Sequence, residues 1–182
     1  MIPIYLNPAA TRIALVGRGR LTVRRLAWLR EGGAKPDVWS DAPSIDLAAA
    51  SPELSPRLPK QTDIEGYHAI WIADLEQEAA TLAQWARAAG VLVNVEDVIP
   101  LCDFHTPAVV RRGQLTLTAG TGGASPAVAR AARERLEEAF PKVWGDALVE
   151  IAEARAVLRS DGAAFETLVA DARARLAHHG LV

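Results

Sequence analysis

Ile13-Ala14-Leu15-Val16-Gly17-Arg18-Gly19-Arg20-Leu21-Thr22 is the stretch that decides how this chain folds. Four consecutive apolar residues running into a glycine suit a strand buried on both faces of a sheet. From Leu21 onward, Leu21, Val23, Leu26, Trp28 and Leu29 recur at helical spacing, and Gly32-Gly33 stops the helix after Glu31. Val38-Trp39-Ser40 predicts a second strand, which completes a β-α-β unit of the length a right-handed crossover needs. The glycine pair then lies between strand and helix, as in a dinucleotide fingerprint. The first glycine allows the tight turn, and the second lets a pyrophosphate approach the backbone. The third position, here Thr22, needs a small residue for close helix–strand packing. Free N–H groups and the positive end of the helix would face the phosphates. The alternative is a glycine turn that only permits close packing.

Further along, the alternation of strand and helix continues. Residues 42–64 carry Pro43, Pro52, Pro56 and Pro59 and predict a wandering loop with at most one short edge strand. His68–Ala73 predicts a buried strand, Glu76–Ala89 an Ala-rich helix closed by Gly90, and Val91–Val95 another strand ending on Glu96-Asp97. This order argues for a parallel sheet covered on both faces. The pattern then changes near residue 107. Ala108–Val110 and Gln114–Thr118 read as two strands around a basic turn at Arg111-Arg112-Gly113. Ser125 is a good N-cap and Pro126 a good first residue for a helix reaching Phe140. Helices over 143–159 and 164–179, parted by Asp161-Gly162, complete the chain. The expected architecture is α/β: a Rossmann-type parallel sheet domain over 1–106, a small α+β region over 107–141 and a helical segment over 142–182.

Bulk composition narrows the function classes. A formal charge of −2 provides no global field to recruit nucleic acid or an anionic membrane. No apolar run approaches the ~20 residues of a membrane span. Met1-Ile2-Pro3-Ile4-Tyr5 lacks the basic start and apolar stretch of a signal peptide. The single Cys102 cannot form an internal disulfide, so the expectation is a reducing, cytoplasmic setting.

Two constellations carry candidate chemistry. Around the first, an acidic residue about 20 positions on would hold the adenosine ribose; Asp41 and Asp37 both qualify, while Arg18 and Arg20 would favour the extra phosphate of NADP. The second comprises Asp97, where a strand leaves the carboxyl edge of the sheet, and the Thr121-Gly122-Gly123 turn. A carboxylate at that edge can take a proton from a bound substrate, and a glycine turn can offer N–H groups to an anion. The bland alternatives are a turn cap and a flexible connection. A lone His105 and a lone Cys102 are not at metal-ligand spacing, and no protein metal site is expected.

Several stretches together carry a family resemblance: Gly17-Arg18-Gly19, Arg24-Arg25, Asn94-Val95-Glu96-Asp97, Leu101-Cys102-Asp103-Phe104-His105-Thr106-Pro107 and Thr121-Gly122-Gly123-Ala124-Ser125-Pro126. Over residues 2–141 the chain resembles the precorrin-2 dehydrogenase / sirohydrochlorin ferrochelatase family, the N-terminal module of siroheme synthases. The resemblance implies NAD-dependent oxidation of precorrin-2 to sirohydrochlorin, in some members followed by Fe²⁺ insertion to give siroheme, by a homodimer. It implies that Asp97 is the catalytic aspartate and that Arg20, Leu21, Pro43 and Ser44 contact NAD, beside Gly17, Arg18, Gly19 and Asp41 of the fingerprint reading. It also implies that Thr121 borders the tetrapyrrole, and Gly122, Gly123, Ser125 and Arg130 are the accompanying substrate-binding candidates. A polycarboxylate macrocycle would suit a cleft flanked by Arg111, Arg112, Arg130 and Arg133. The chain departs from the family at Ala73-Asp74-Leu75, where a Thr-x-Asp-like turn is usual, and at Ala79, where an Asn is usual. It departs again at Thr22, usually Ala, and at His105. A chelatase that binds NAD poorly and a non-catalytic sensor on the same scaffold are the competing readings.

Overall fold

A computed structural model describes all 182 residues, which fall into two compact units, Met1–His105 and Thr106–Val182. Unit 1 is built on four parallel strands: β1 (Ile13–Gly17), β2 (Asp37–Trp39), β3 (Ala69–Ala73) and β4 (Leu92–Val95), in the order β2-β1-β3-β4. Every residue of β1 and β3 is buried. Their alternate residues face opposite layers, as strand geometry requires. Ile13, Leu15, Ala69 and Trp71 pack with Leu26 and Leu29, whereas Ala14, Val16, Ile70 and Ile72 pack with Leu82, Ala83 and Ala86. The first set meets α1 (Arg20–Glu31) and the second meets α4 (Ala79–Ala88). The expected doubly covered Rossmann-type sheet is therefore present.

The Pro-rich stretch is more ordered than its composition predicts. It contains two short helices, α2 (Ile45–Ala50) and α3 (Gln61–Ile64). Ser44 caps α2 by accepting from the Leu47 N–H at 3.2 Å, and Pro52 falls just beyond the helix end. The prolines thus punctuate helices rather than forbid them. The possible edge strand reduces to one bridge, Trp39 with Ser55.

Unit 2 pairs β5 (Ala108–Arg112) with β6 (Leu115–Ala119) in an antiparallel hairpin. The tight turn lies at Gly113-Gln114, one step beyond the expected basic turn, because Gly113 supplies the positive φ (59°) that a two-residue hairpin loop needs. Arg111 and Arg112 consequently belong to β5. Three helices follow: α5 (Pro126–Ala139), α6 (Val143–Ser160) and α7 (Phe165–His178). The helical tail expected as a segment of its own joins the hairpin in one unit, since α6 packs on β5 and β6 as well as on α7.

Candidate dinucleotide and catalytic site

The glycine turn is held tightly against the sheet. A Cβ built on Gly17 would lie 2.1 Å from Thr22 Oγ1 and 2.3 Å from the Ala73 carbonyl, so only glycine fits there. Gly19 is the N-cap of α1 and makes no side-chain cap, so the first N–H groups of the helix need an outside acceptor. The acceptor is Asp74. Its Oδ2 accepts from the Gly19 N–H at 3.0 Å, the Thr22 N–H at 2.8 Å and the Thr22 hydroxyl at 2.8 Å; Oδ1 lies 3.4 Å from the Leu21 nitrogen. Burial raises the Asp74 pKa, but these hydrogen bonds outweigh it and leave the carboxyl below the usual range. Asp74 also holds a left-handed φ of 55°. The altered turn after β3 was visible in the sequence; its contact with the cradle was not, although Thr22, a polar residue where a small one is usual, is the partner that betrays it.

Beside the cradle, Arg18 lies between two carboxylates. Its Nε and Nη2 donate to the two oxygens of Asp41 at 2.7 and 2.8 Å, and Nη2 also donates to Glu78 at 2.6 Å. Hydrogen bonding to this guanidinium lowers the pKa of both Asp41 and Glu78 and raises that of Arg18. The Ser44 N–H donates to the Arg18 carbonyl at 2.7 Å, which joins the Pro43-Ser44 segment to the glycine turn. The two acidic candidates separate by position. Asp37 opens β2 at the far end of the strand, where it accepts from the Tyr67 hydroxyl at 2.7 Å, while Asp41 follows β2 and meets the turn. Arg20 is exposed on the first turn of α1.

Asp97 lies on the turn after β4, exposed and in a left-handed conformation (φ 62°). Its neighbour Glu96 is anchored to α1 by ion pairs with Arg24 and Arg25. The Arg25 and Glu96 side chains are each only 9% exposed, and the Arg25 guanidinium lies 5.1 Å from the Trp28 ring centre. Sequence reading did not find this clamp, because residues 71 and 72 positions apart share no local pattern.

The Cys102-Asp103-Phe104 stretch covers the free edge of β4. The Cys102 sulfur accepts from the Val95 N–H at 3.3 Å and Asp103 Oδ2 accepts from the Val93 N–H at 3.1 Å, while the Phe104 carbonyl accepts from the Asn94 side-chain amide at 2.8 Å. Phe104 also meets Trp71 edge-on, with ring centres 4.8 Å apart. The stretch thus satisfies backbone donors that an uncovered edge strand would leave open. Burial raises the Cys102 thiol pKa, as suits a structural rather than a reactive cysteine.

In unit 2, Thr121, Gly122, Gly123 and Ser125 come together in one turn ahead of α5. The Thr121 hydroxyl accepts from the Ser125 N–H at 3.3 Å and donates to the Ser125 carbonyl at 3.2 Å, and Ser125 caps α5 through the Val128 N–H. Gly122 and Gly123 both have positive φ. The arginines differ among themselves. Arg112 donates to the carbonyls of Phe140 and Glu137 at the end of α5. Arg130 and Arg133 pair with Glu134 and Glu137 on their own helix. Such exposed pairs are weak and exchangeable, so Arg130 can still meet an anion, whereas Arg112 serves as a strut.

Residues 4–108 match the sequence profile of a protein family described as "Putative NAD(P)-binding". The chain belongs to that family. The siroheme synthase of Nitrosococcus oceani is 34% identical over 156 residues, 79% of this chain and 32% of that protein. The siroheme synthase of Methylococcus capsulatus is 36% identical over 150 residues, 79% of this chain and 31% of that protein. The chain thus spans about a third of the length of these curated relatives. In fold it is similar to SirC, precorrin-2 dehydrogenase, with a TM-score of 0.70, 18% identity and all of both chains covered. The family resemblance carried by the sequence motifs is borne out. The NAD(P) that this family implies is an anion at its pyrophosphate, and the Asp74 carboxylate is a stand-in anion on the donors of the glycine turn. Those donors fit the group. No helix is long and apolar enough to cross a membrane.

Proposed function

We propose that this chain is an NAD⁺-dependent precorrin-2 dehydrogenase, working as a homodimer in a reducing cytoplasm. One observation carries the reading: the glycine turn after β1 and the partner-free Asp97 after β4 lie at the carboxyl ends of strands in one parallel sheet, where such sheets bind ligands. NAD⁺, when bound, supplies the hydride acceptor. The N–H groups of Gly19, Leu21 and Thr22, on the turn that Gly17 permits, hold its pyrophosphate, with Arg20 on the outer side, and Asp41 with the Pro43-Ser44 segment holds the adenosine ribose. Arg18 faces two carboxylates, so an extra ribose phosphate meets net negative charge and NAD⁺ is preferred over NADP⁺.

Oxidation of precorrin-2 to sirohydrochlorin removes a hydride and a proton. Asp97 accepts the proton, and the Glu96–Arg25 pair fixes the turn that presents it. Thr121, Gly122, Gly123, Ser125 and Arg130 of unit 2 are the proposed tetrapyrrole contacts, with Arg130 meeting a macrocycle carboxylate. Fe²⁺ is a second substrate: its insertion displaces two macrocycle protons, which Asp97 helps take up by accepting one at a time and releasing it to solvent, and the macrocycle nitrogens are the metal's ligands.

Anaerobic incubation of the full chain with precorrin-2 and NAD⁺, followed by Fe²⁺ or Co²⁺, tests this. Sirohydrochlorin is expected with NAD⁺ and far less with NADP⁺. Asp97→Ala is expected to lower turnover by at least a hundredfold, the range general base catalysis supplies. Failure to form sirohydrochlorin with either nucleotide sinks the dehydrogenase reading, and unchanged turnover of Asp97→Ala removes that residue from the mechanism.

A further inference from the structure

The donors that a pyrophosphate would use are already engaged by a residue of the chain itself. The N–H groups of Gly19 and Thr22 converge on one oxygen of Asp74, and the Thr22 hydroxyl adds a third hydrogen bond to the same atom. The missing side chain of Gly19 points at this carboxylate: a built Cβ would lie 3.2 Å from Asp74 Cγ and 3.3 and 3.4 Å from its oxygens. That is the side on which the second glycine of a fingerprint admits the pyrophosphate. Carboxylate and pyrophosphate therefore want the same donors from the same direction, and two anions at hydrogen-bond distance from one pair of N–H groups repel each other strongly. Arg18, within the turn itself, is taken up by Asp41 and Glu78.

Resting on the dinucleotide reading, we propose that Asp74 is an internal competitor for the pyrophosphate, so that NAD⁺ binds only as the Asp74 side chain leaves the turn. Two departures from the usual pattern then explain each other. Thr22 replaces a smaller residue at the third fingerprint position, and its buried hydroxyl is one of the groups that hold Asp74 in place. The left-handed backbone at Asp74 aims the carboxylate back over the turn, and few side chains other than glycine tolerate that conformation as well as aspartate does. Release of the carboxylate frees the backbone to relax, which makes the residue after β3 the moving part on binding. The consequence is weakened nucleotide affinity and an unliganded turn that keeps its donors satisfied.

Calorimetric titration of the full chain with NAD⁺, alongside Asp74→Ala and Asp74→Asn, tests this together with melting curves in the presence of inorganic pyrophosphate. Asp74→Ala is expected to bind NAD⁺ about tenfold tighter or more, with Asp74→Asn in between because it keeps the shape and loses the charge. Pyrophosphate is expected to raise the melting temperature of Asp74→Ala but not that of the parent chain. Without ligand, Asp74→Ala melts lower, since the turn has lost its acceptor; if it fails to fold, Asp74→Asn carries the comparison. Folded variants that bind NAD⁺ no tighter than the parent overturn the competition and leave the dinucleotide site standing. Absence of NAD⁺ and NADP⁺ binding by all three proteins overturns both.

Discussion

β1 and β3 of unit 1 differ from β5 and β6 of unit 2 in how completely they are covered. All residues of the first pair are buried, whereas Val110 alone is buried in the second pair, and α5 contributes no buried residue at all. The first sheet draws its stability from two layers of helices. The hairpin has half-covered apolar faces that the proposed pairing of two copies would complete. Truncation should expose the difference directly. Ile70→Ala, at a fully buried position in β3, is expected to cost roughly 3–5 kcal/mol in urea unfolding. Leu117→Ala, on the half-buried β6, should cost roughly 1 kcal/mol at low protein concentration. If its cost grows with concentration, a second copy covers the hairpin; equal costs at both positions would break the comparison.

The same contrast extends to charge. The Arg25–Glu96 pair in unit 1 is nearly buried, while Arg130–Glu134 in unit 2 is exposed. Glu96→Ala leaves the Arg25 guanidinium buried without its partner, which is expected to cost about 3 kcal/mol. Glu134→Ala should cost less than about 0.5 kcal/mol. Denaturant titration of both variants checks this. A Glu96→Ala cost as small as that of Glu134→Ala would mean that Arg25 escapes to water and that the turn bearing Asp97 is not clamped.

Sequence alone carried most of unit 1 and little of its wiring. The β-α-β start was legible because a glycine turn between an apolar run and a periodic helix is a local pattern. The 42–64 segment misled, since proline lowers helix propensity on average but tolerates α2 and α3 when it stands outside them. Cys102 and Asp103 marked the family while their work is to satisfy the β4 edge, a role that requires knowing which strand ends the sheet. Asp74 and Glu96 act across 50 or more residues, on Thr22 and on Arg25. Periodicity does not reach that far; only the parallel register, which places the ends of β1, β3 and β4 side by side, brings them together.

Acid should weaken the two units unequally. Four carboxyls with depressed pKa values lie in unit 1, namely Asp41, Asp63, Asp74 and Glu78, against Glu150 in unit 2. A carboxyl whose folded pKa is depressed binds fewer protons folded than unfolded. Its contribution is complete above the unfolded value, about 4, and is lost as pH falls through the folded one. For Asp63, whose first cause is hydrogen bonding from Arg57, that folded value is about 2. Stability of unit 1 is therefore expected to fall with acid between about pH 5 and pH 2, and Asp63→Asn should flatten part of that slope. Trp144→Phe leaves Trp28, Trp39, Trp71 and Trp85 of unit 1 as the fluorescent reporters, so urea titrations of that variant at stepped pH read the slope of unit 1 alone. A slope unchanged by Asp63→Asn would mean that the exposed Arg57–Asp63 pair is screened by solvent, and that the acid sensitivity belongs to the carboxyls gathered at the glycine turn.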